Sequence, residues 1–257
     1  MDRDTAWRIE KLLLQELTSL ARAGVGQLRK PPTTGPALSA PAIASTTPTV
    51  EEPAVAKKTA PSRGNDPAAQ LAAIQNEVAA CRRCRELAAT RTQTVFGVGN
   101  QRTRLCFLGE APGADEDRQG IPFVGRAGKL LTDMIEKGMG LPRAEVYILN
   151  VLKCRPPENR TPNTQEVANC REYFERQLAV LQPEFICCLG TVAAQALLRT
   201  TTPVGRMRGR IYEYEQAKVI VTYHPSYLLR APEMKKEAWL DLQLLMREMG
   251  LPAPKNS

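Results

Sequence analysis

Residues 105–128 read LCFLGEAPGADEDRQGIPFVGRAG, and the order of their parts decides the fold. A short apolar strand runs into Gly109, an acidic loop follows through Gly113, and a helical pattern starts at Arg126. A strand that feeds a Gly- and Pro-rich loop and then a helix places backbone N–H groups over the carboxyl edge of a sheet, where open α/β folds bind ligands. The loop holds four acids, Glu110, Asp115, Glu116 and Asp117, which repel a triphosphate. Residues 120–127 carry phosphate-loop glycine spacing at Gly120 and Gly125, but they lack the lysine and hydroxyl that grip phosphate and magnesium.

Working outward, apolar runs alternate with helical patterns. Strands are expected at 104–108, 146–152, 185–189 and 219–223, with a short one at 211–214. Helices are expected at 127–137, 164–181, 192–198 and 237–249; the second starts with Asn163 and has Glu166 three residues later, a capping-box pattern. Asp66 and Pro67 open an earlier helix as cap and first helical residue. This alternation predicts an α/β protein with three layers, α/β/α, around a central four-stranded, mainly parallel sheet. In such a sheet the strand exits share one edge. Glu110 and Ala111, Asn150, Gly190, and His224 therefore converge on one cleft despite their distance in sequence.

The 257 residues allow one sizeable domain plus appendages. Residues 1–28 contain an amphipathic pattern with Ile9, Leu13, Leu17 and Leu20 on one face, a candidate contact for a protein partner. Residues 29–65 are rich in proline and hold no aromatic residue, so they read as a disordered linker. The compact domain is expected over 66–252. An excess of 35 Lys+Arg over 27 Asp+Glu gives a formal charge of +8, which favours a polyanionic partner such as nucleic acid. No apolar run is long enough to span a membrane, and the amino terminus lacks a charged-then-apolar signal, so a cytoplasmic, nucleoid-associated monomer is expected.

Seven cysteines in a reducing compartment argue for buried thiols or metal ligands and against a disulfide framework. Cys81 and Cys84 form a Cys-x-x-Cys pair at a helix end. Cys154 follows a strand, and Cys170 shares a helical face with Val167, Phe174, Leu178 and Leu181. Four inward thiols suit either an iron–sulfur cluster or a structural zinc, and the spacing leaves both open. Cys106, Cys187 and Cys188 fall inside apolar strands as packing residues. His224 is the one histidine. It is followed by Pro-Ser-Tyr-Leu-Leu-Arg, in which Ser226 and Arg230 suit a phosphate backbone and Leu228 or Leu229 suits an apolar wedge between bases.

Taken jointly, Gly-Glu-Ala-Pro-Gly with Glu116-Asp117, Pro-Phe-Val-Gly-Arg-Ala-Gly ending at Gly128, Asn150 before Lys-Cys-Arg-Pro-Pro, and His224-Pro-Ser-Tyr-Leu-Leu-Arg230 resemble the family 4 uracil-DNA glycosylases. Such sequences are also labelled phage DNA polymerase-related. The resemblance covers about residues 70–250. It implies a [4Fe-4S] cluster of structural role on Cys81, Cys84, Cys154 and Cys170, and cleavage of the N-glycosidic bond of deoxyuridine in single- or double-stranded DNA. By the same resemblance Glu110 and Ala111 frame the pocket, Phe123 stacks on the uracil and Asn150 reads its amide edge. His224 then faces the O2 carbonyl and Glu116 is an acid assisting catalysis.

The chemistry of the base agrees. An amide that accepts from N3–H and donates to O4 rejects cytosine by leaving polar groups unpaired, and a donor at O2 stabilises the departing uracil anion. One position departs from the better-known uracil glycosylases: where they carry a water-orienting aspartate, this chain has Ala111, so Glu110 and Glu116 both stand as candidates for that task. Two other readings compete. One is a non-catalytic or covalent uracil-DNA binder of the same fold, of which the covalent form needs a second histidine that the sequence lacks; the other is a redox sensor built on the cluster.

Overall fold

The computed structural model describes residues 66–252. The helix expected within 1–28 and the linker expected over 29–65 lie outside the described residues. In chain order come α1 (Pro67–Ala80), α2 (Arg85–Thr90), β1 (Val98–Gly99), β2 (Leu105–Gly109), α3 (Ala114–Gln119), α4 (Arg126–Asp133), β3 (Tyr147–Asn150) and α5 (Thr164–Leu181). These are followed by β4 (Phe185–Leu189), α6 (Thr191–Leu198), α7 (Val204–Met207), β5 (Ile211–Tyr214), β6 (Ala217–Thr222), α8 (Pro225–Arg230) and α9 (Lys235–Met249).

The sheet has six strands in the order β1-β3-β2-β4-β6-β5, where four were expected. Its centre, β3-β2-β4-β6, is the expected four-stranded parallel core; at the edges the short strand expected at 211–214 is β5, which pairs antiparallel, and the unexpected β1 pairs antiparallel too. β5 turns back onto β6 as a hairpin. β1 is two residues long, too short for any periodicity, and it is defined by pairing with Tyr147 and Ile148 alone.

Alternation along the central strands assigns each side chain to one of two cores. Cys106 and Leu108 of β2 face the side packed by Leu71, Ile74 and Val78 of α1 and by Phe174 and Leu178 of α5. Leu105 and Phe107 face the side packed by Leu131 of α4 and by Leu242, Leu245 and Met246 of α9. All five residues of β2 are buried, as are all five of β4, which is what a parallel strand covered on both faces requires. Phe107 is 0% exposed at the centre of this arrangement; truncating such a ring to alanine costs about 3–5 kcal/mol.

The helix starts follow their local chemistry. Asp66 caps α1 by accepting from the Ala68 N–H at 3.2 Å. Asn163 and Glu166 form the expected reciprocal box at α5, with distances of 2.8 and 2.9 Å. The helix expected over 127–137 is α4 followed by a π turn, Met134–Gly138. The wider turn brings Gly138 against the Trp239 ring. Among the described residues, no helix is long and apolar enough to cross a membrane.

Candidate active site and thiol pocket

The carboxyl ends of β2, β3, β4 and β6 open onto one cleft of about 850 Å³. Glu110, Ala111, Glu116, Phe123, Asn150, Gly190, His224, Ser226 and Arg230 all line it. The convergence expected from the strand exits is therefore present.

Gly109 sets the geometry of the cleft floor. A Cβ there would lie 2.3 Å from Asn150 Oδ1 and 2.6 Å from the Phe123 ring, so only glycine lets the amide and the ring sit together over the end of β2. Phe123 adopts a left-handed backbone, φ +55°, a strained conformation for a non-glycine residue. Arg143 braces it by donating to the Phe123 and Pro122 carbonyls at 3.1 and 3.0 Å. The Phe123 and His224 ring centroids are 5.5 Å apart. Gly190, at φ +88°, stands where a Cβ would come within 2.9 Å of His224 Cβ, which again reserves the position for glycine.

Two polar atoms on this wall are shielded from solvent and have no hydrogen-bond partner: Asn150 Oδ1 and His224 Nε2. Asn150 is 2% exposed. His224 caps α8, its Nδ1 accepting the Ser226 N–H at 3.2 Å and standing 2.8 Å from Ser226 Oγ. With Nδ1 an acceptor, the ring proton of the neutral imidazole resides on Nε2. Burial, reinforced by the nearby Arg230 charge, pushes the imidazole pKa down to about 4, so the ring is neutral over the physiological range.

The two carboxylates expected at the site differ in what holds them. Glu116 accepts the N–H groups of Gly113, Val124 and Gly125 at 3.0, 2.9 and 2.9 Å, engaging both of its oxygens. It closes the loop on itself and occupies the amides of the phosphate-loop-like stretch, which explains why that spacing marks no nucleotide site. Glu110 makes no such bond among the described residues, and burial raises its carboxyl pKa above the usual range.

In α8 the sequence expectation needs correction. Leu228 is 1% exposed and belongs to the core, so it offers no wedge; Leu229 is 41% exposed. Ser226 lines the cleft, but its N–H and hydroxyl are directed at His224. Arg230 is exposed on the same rim. Sequence reasoning passed over Tyr223 and Tyr227, which also line the cleft, and over Asn159, which enters it from a loop where Glu158 and Asn159 both have positive φ.

Beside the cleft, Cys81, Cys84, Cys154 and Cys170 line one pocket together with Leu87, Leu152 and Glu166. N–H donors point at three of the sulfurs: Arg91 to Cys154 at 2.9 Å, the Lys153 amide to Cys170 at 3.3 Å, and Asn169 to Cys84 at 3.5 Å. Burial pushes the Cys170 thiol up to about 12 and raises that of Cys154, so without a metal to offset their charge these sulfurs favour the protonated form. Among the described residues no three His, Cys, Asp or Glu side chains close on a point able to hold a single metal ion. Four thiols lining one pocket, three of them facing N–H donors, are a suitable ligand set for a metal or cluster.

Lys153 links the pocket to the cleft. It is 1% exposed, and its Nζ donates to the Asn150 carbonyl at 2.8 Å and the Phe96 carbonyl at 3.2 Å. Arg160, which also lines the cleft, grips Glu166 of the thiol pocket through two bonds, 2.9 and 2.7 Å, and reaches Glu86 at 2.8 Å.

Residues 96–243 match the family model described as the uracil DNA glycosylase superfamily. The chain is 44% identical over 189 residues to the type-4 uracil-DNA glycosylase of Archaeoglobus fulgidus, covering 70% of this chain and 94% of that protein. It is 43% identical over 159 residues to the Thermotoga maritima type-4 uracil-DNA glycosylase, covering 61% of this chain and 82% of that one. Against the Sulfurisphaera tokodaii type-4 uracil-DNA glycosylase the identity is 40% over 174 residues, with coverage of 65% and 79%.

Proposed function

The chain belongs to the uracil-DNA glycosylase superfamily and is an enzyme of that kind; from this premise we propose that it hydrolyses the N-glycosidic bond of deoxyuridine in DNA, releasing uracil and leaving an abasic site for base excision repair. The observation that carries the reading is the pair of unpartnered buried atoms, Asn150 Oδ1 and His224 Nε2, on one cleft wall with Phe123 between strand end and imidazole. An acceptor and a donor without partners are costly in a folded protein, at about 1–3 kcal/mol each, unless a ligand completes them. Uracil does so: N3–H donates to the Asn150 amide oxygen, the amide nitrogen donates to O4, and O2 accepts from His224.

Uracil must first leave the base stack, which costs a few kcal/mol. Contacts at Arg230 and insertion of Leu229 offset that cost. Phe123 then stacks on the ring. As the glycosidic bond lengthens, negative charge collects on uracil O2 and positive charge on the sugar. His224 Nε2–H is fixed in place by Ser226 and strengthens its bond as that charge grows, so it stabilises the transition state more than the ground state. A neutral donor serves here because it need not surrender its proton. Glu110 is the carboxylate with free oxygens and takes the role of holding the attacking water and facing the cationic sugar. Glu116 shapes the loop that carries it.

The four thiols would hold a [4Fe-4S] cluster, which when bound supplies a covalent tie between segments far apart in sequence. The segments it joins are the end of α1, the exit of β3 and the face of α5. The cleft lining includes no lysine among the described residues, so no lysine nucleophile is needed and hydrolysis proceeds without strand cleavage.

The test is to incubate purified protein with oligonucleotides carrying a single uracil and to measure free base and alkali-labile sites. Released uracil with a strand cut only after alkali is expected; a stable complex with no free base would mark a binding protein instead.

A further inference from the structure

Two tyrosines on the rim of the cleft take no part in the chemistry above. Tyr223 directly precedes His224, and Tyr227 lies one turn on in α8; their ring centroids are 5.1 Å apart at an interplanar angle of 42°. Tyr227 is 38% exposed, whereas its neighbour Leu228 is 1% exposed, so the helix presents the aromatic ring outward and the aliphatic one inward. Behind Tyr223 lies the Arg208 guanidinium, its carbon 4.5 Å from the ring centroid. Arg208 is itself fixed from α9, donating to Asp241 at 2.7 Å and Glu237 at 3.1 Å, and Asp241 is 1% exposed. A buried aspartate, a largely buried arginine and one tyrosine thus form a rigid stack that ends in an exposed ring.

A tyrosine that only filled the core would be covered. This one stands on the helix that carries Ser226 and Arg230, beside the space where the flipped nucleotide enters. When uridine leaves the stack, the adjacent base loses a stacking partner and exposes a π-face. We propose that Tyr227, backed by Tyr223 and Arg208, forms a subsite that stacks on the nucleobase flanking the flipped uridine, left unstacked by the flip. This rests on the proposed reading of the cleft as a uracil site. Stacking tolerates any base, because every base has a π-face, and it acts on single strands as well as duplexes. An aliphatic wedge, by contrast, matters only where there is a duplex to open.

Single-stranded uracil oligonucleotides test this with Tyr227→Leu and Tyr227→Met, which keep apolar bulk and lose the ring, beside Tyr227→Phe, which keeps the ring. Thermal melting of each variant reports its folding. The aliphatic variants are expected to raise KM on single strands by about tenfold with a smaller change in kcat, and Tyr227→Phe to recover most of that loss. In a direct readout, 2-aminopurine is placed beside a 2′-fluorinated deoxyuridine that resists cleavage; the wild type and Tyr227→Phe should quench its fluorescence and the aliphatic variants should not. Folded aliphatic variants with wild-type KM on single strands and undiminished quenching would overturn the subsite, as would a loss confined to duplex DNA, which marks a wedge. If the wild type releases no uracil, the proposed function fails instead, and the fluorescence comparison still decides the subsite.

Discussion

Replacing Asn150 by aspartate changes one atom in a residue that is 2% exposed, and the groups around that atom set the penalty. In the proposed site the wild-type amide presents an acceptor to N3–H and a donor to O4. An ionised carboxylate keeps the acceptor, turns the donor into a second acceptor facing O4, and places a charge beside the Phe123 ring. A lost hydrogen bond that leaves a buried partner unsatisfied costs about 1–3 kcal/mol, and adding lone-pair repulsion brings the sum to about 3–4 kcal/mol. This corresponds to a fall in kcat/KM of roughly 10²–10³-fold at pH 8. Burial raises the pKa of a carboxyl in this position, so on acidification Asn150→Asp should gain a proton and regain a donor. A protonated carboxyl matches both uracil and cytosine, whose edge reverses the donor and acceptor order. Activity on uracil should therefore recover in part below neutral pH, with slow release of cytosine beside it. The assay is base release from matched uracil and cytosine oligonucleotides between pH 5 and pH 8. A wild-type kcat/KM for uracil at pH 8 would remove Asn150 from base recognition.

Replacing His224 with glutamine or alanine should lower kcat by about 10²–10³-fold with little change in KM, because the donor acts chiefly on the developing anion; an equal loss of binding for the intact substrate would contradict this. For Glu110, activity should decline as pH falls through its raised carboxyl pKa, above the ordinary carboxylate range, while His224, already neutral down to about pH 4, adds no such limb. Glu110→Gln should then show a low rate that is flat with pH, and an unshifted acid limb in that variant would clear Glu110 of the role. Gly109→Ala should leave the protein folded but depress activity, since the added carbon falls 2.3 Å from Asn150 Oδ1 and 2.6 Å from the Phe123 ring; unaltered kinetics would mean those groups need not meet. Cys154→Ala should give colourless protein with a lowered melting temperature, and brown, fully stable protein would show that this sulfur is no ligand.

What was legible in the sequence is what local chemistry specifies. The capping box at Asn163 and Glu166 fixed a helix start, and all-apolar runs such as Phe185–Leu189 identified the buried parallel strands and with them the shared edge of the cleft. The edge strand Val98–Gly99 was illegible because its identity lies in its partner across the sheet, not in its own two residues. The face of α8 was illegible too: six residues make under two turns, too few for a periodicity to separate the inward Leu228 from the outward Tyr227 and Leu229. Glu116 looked like an acid in a catalytic loop, and only the three converging N–H groups reveal it as the loop's clasp. Arg143 and Arg208 act on Phe123 and Tyr223 from 20 and 15 positions along the chain, with no motif to announce them.

The short run from Asn150 to Cys154 has a mechanical meaning. Its lysine donates to the Asn150 carbonyl through its side chain and to the Cys170 sulfur through its backbone, so one residue is held at both the cleft and the thiol pocket. In the proposed function, the residues that would hold the cluster and the strand end that would read the base are thus joined through a single buried side chain.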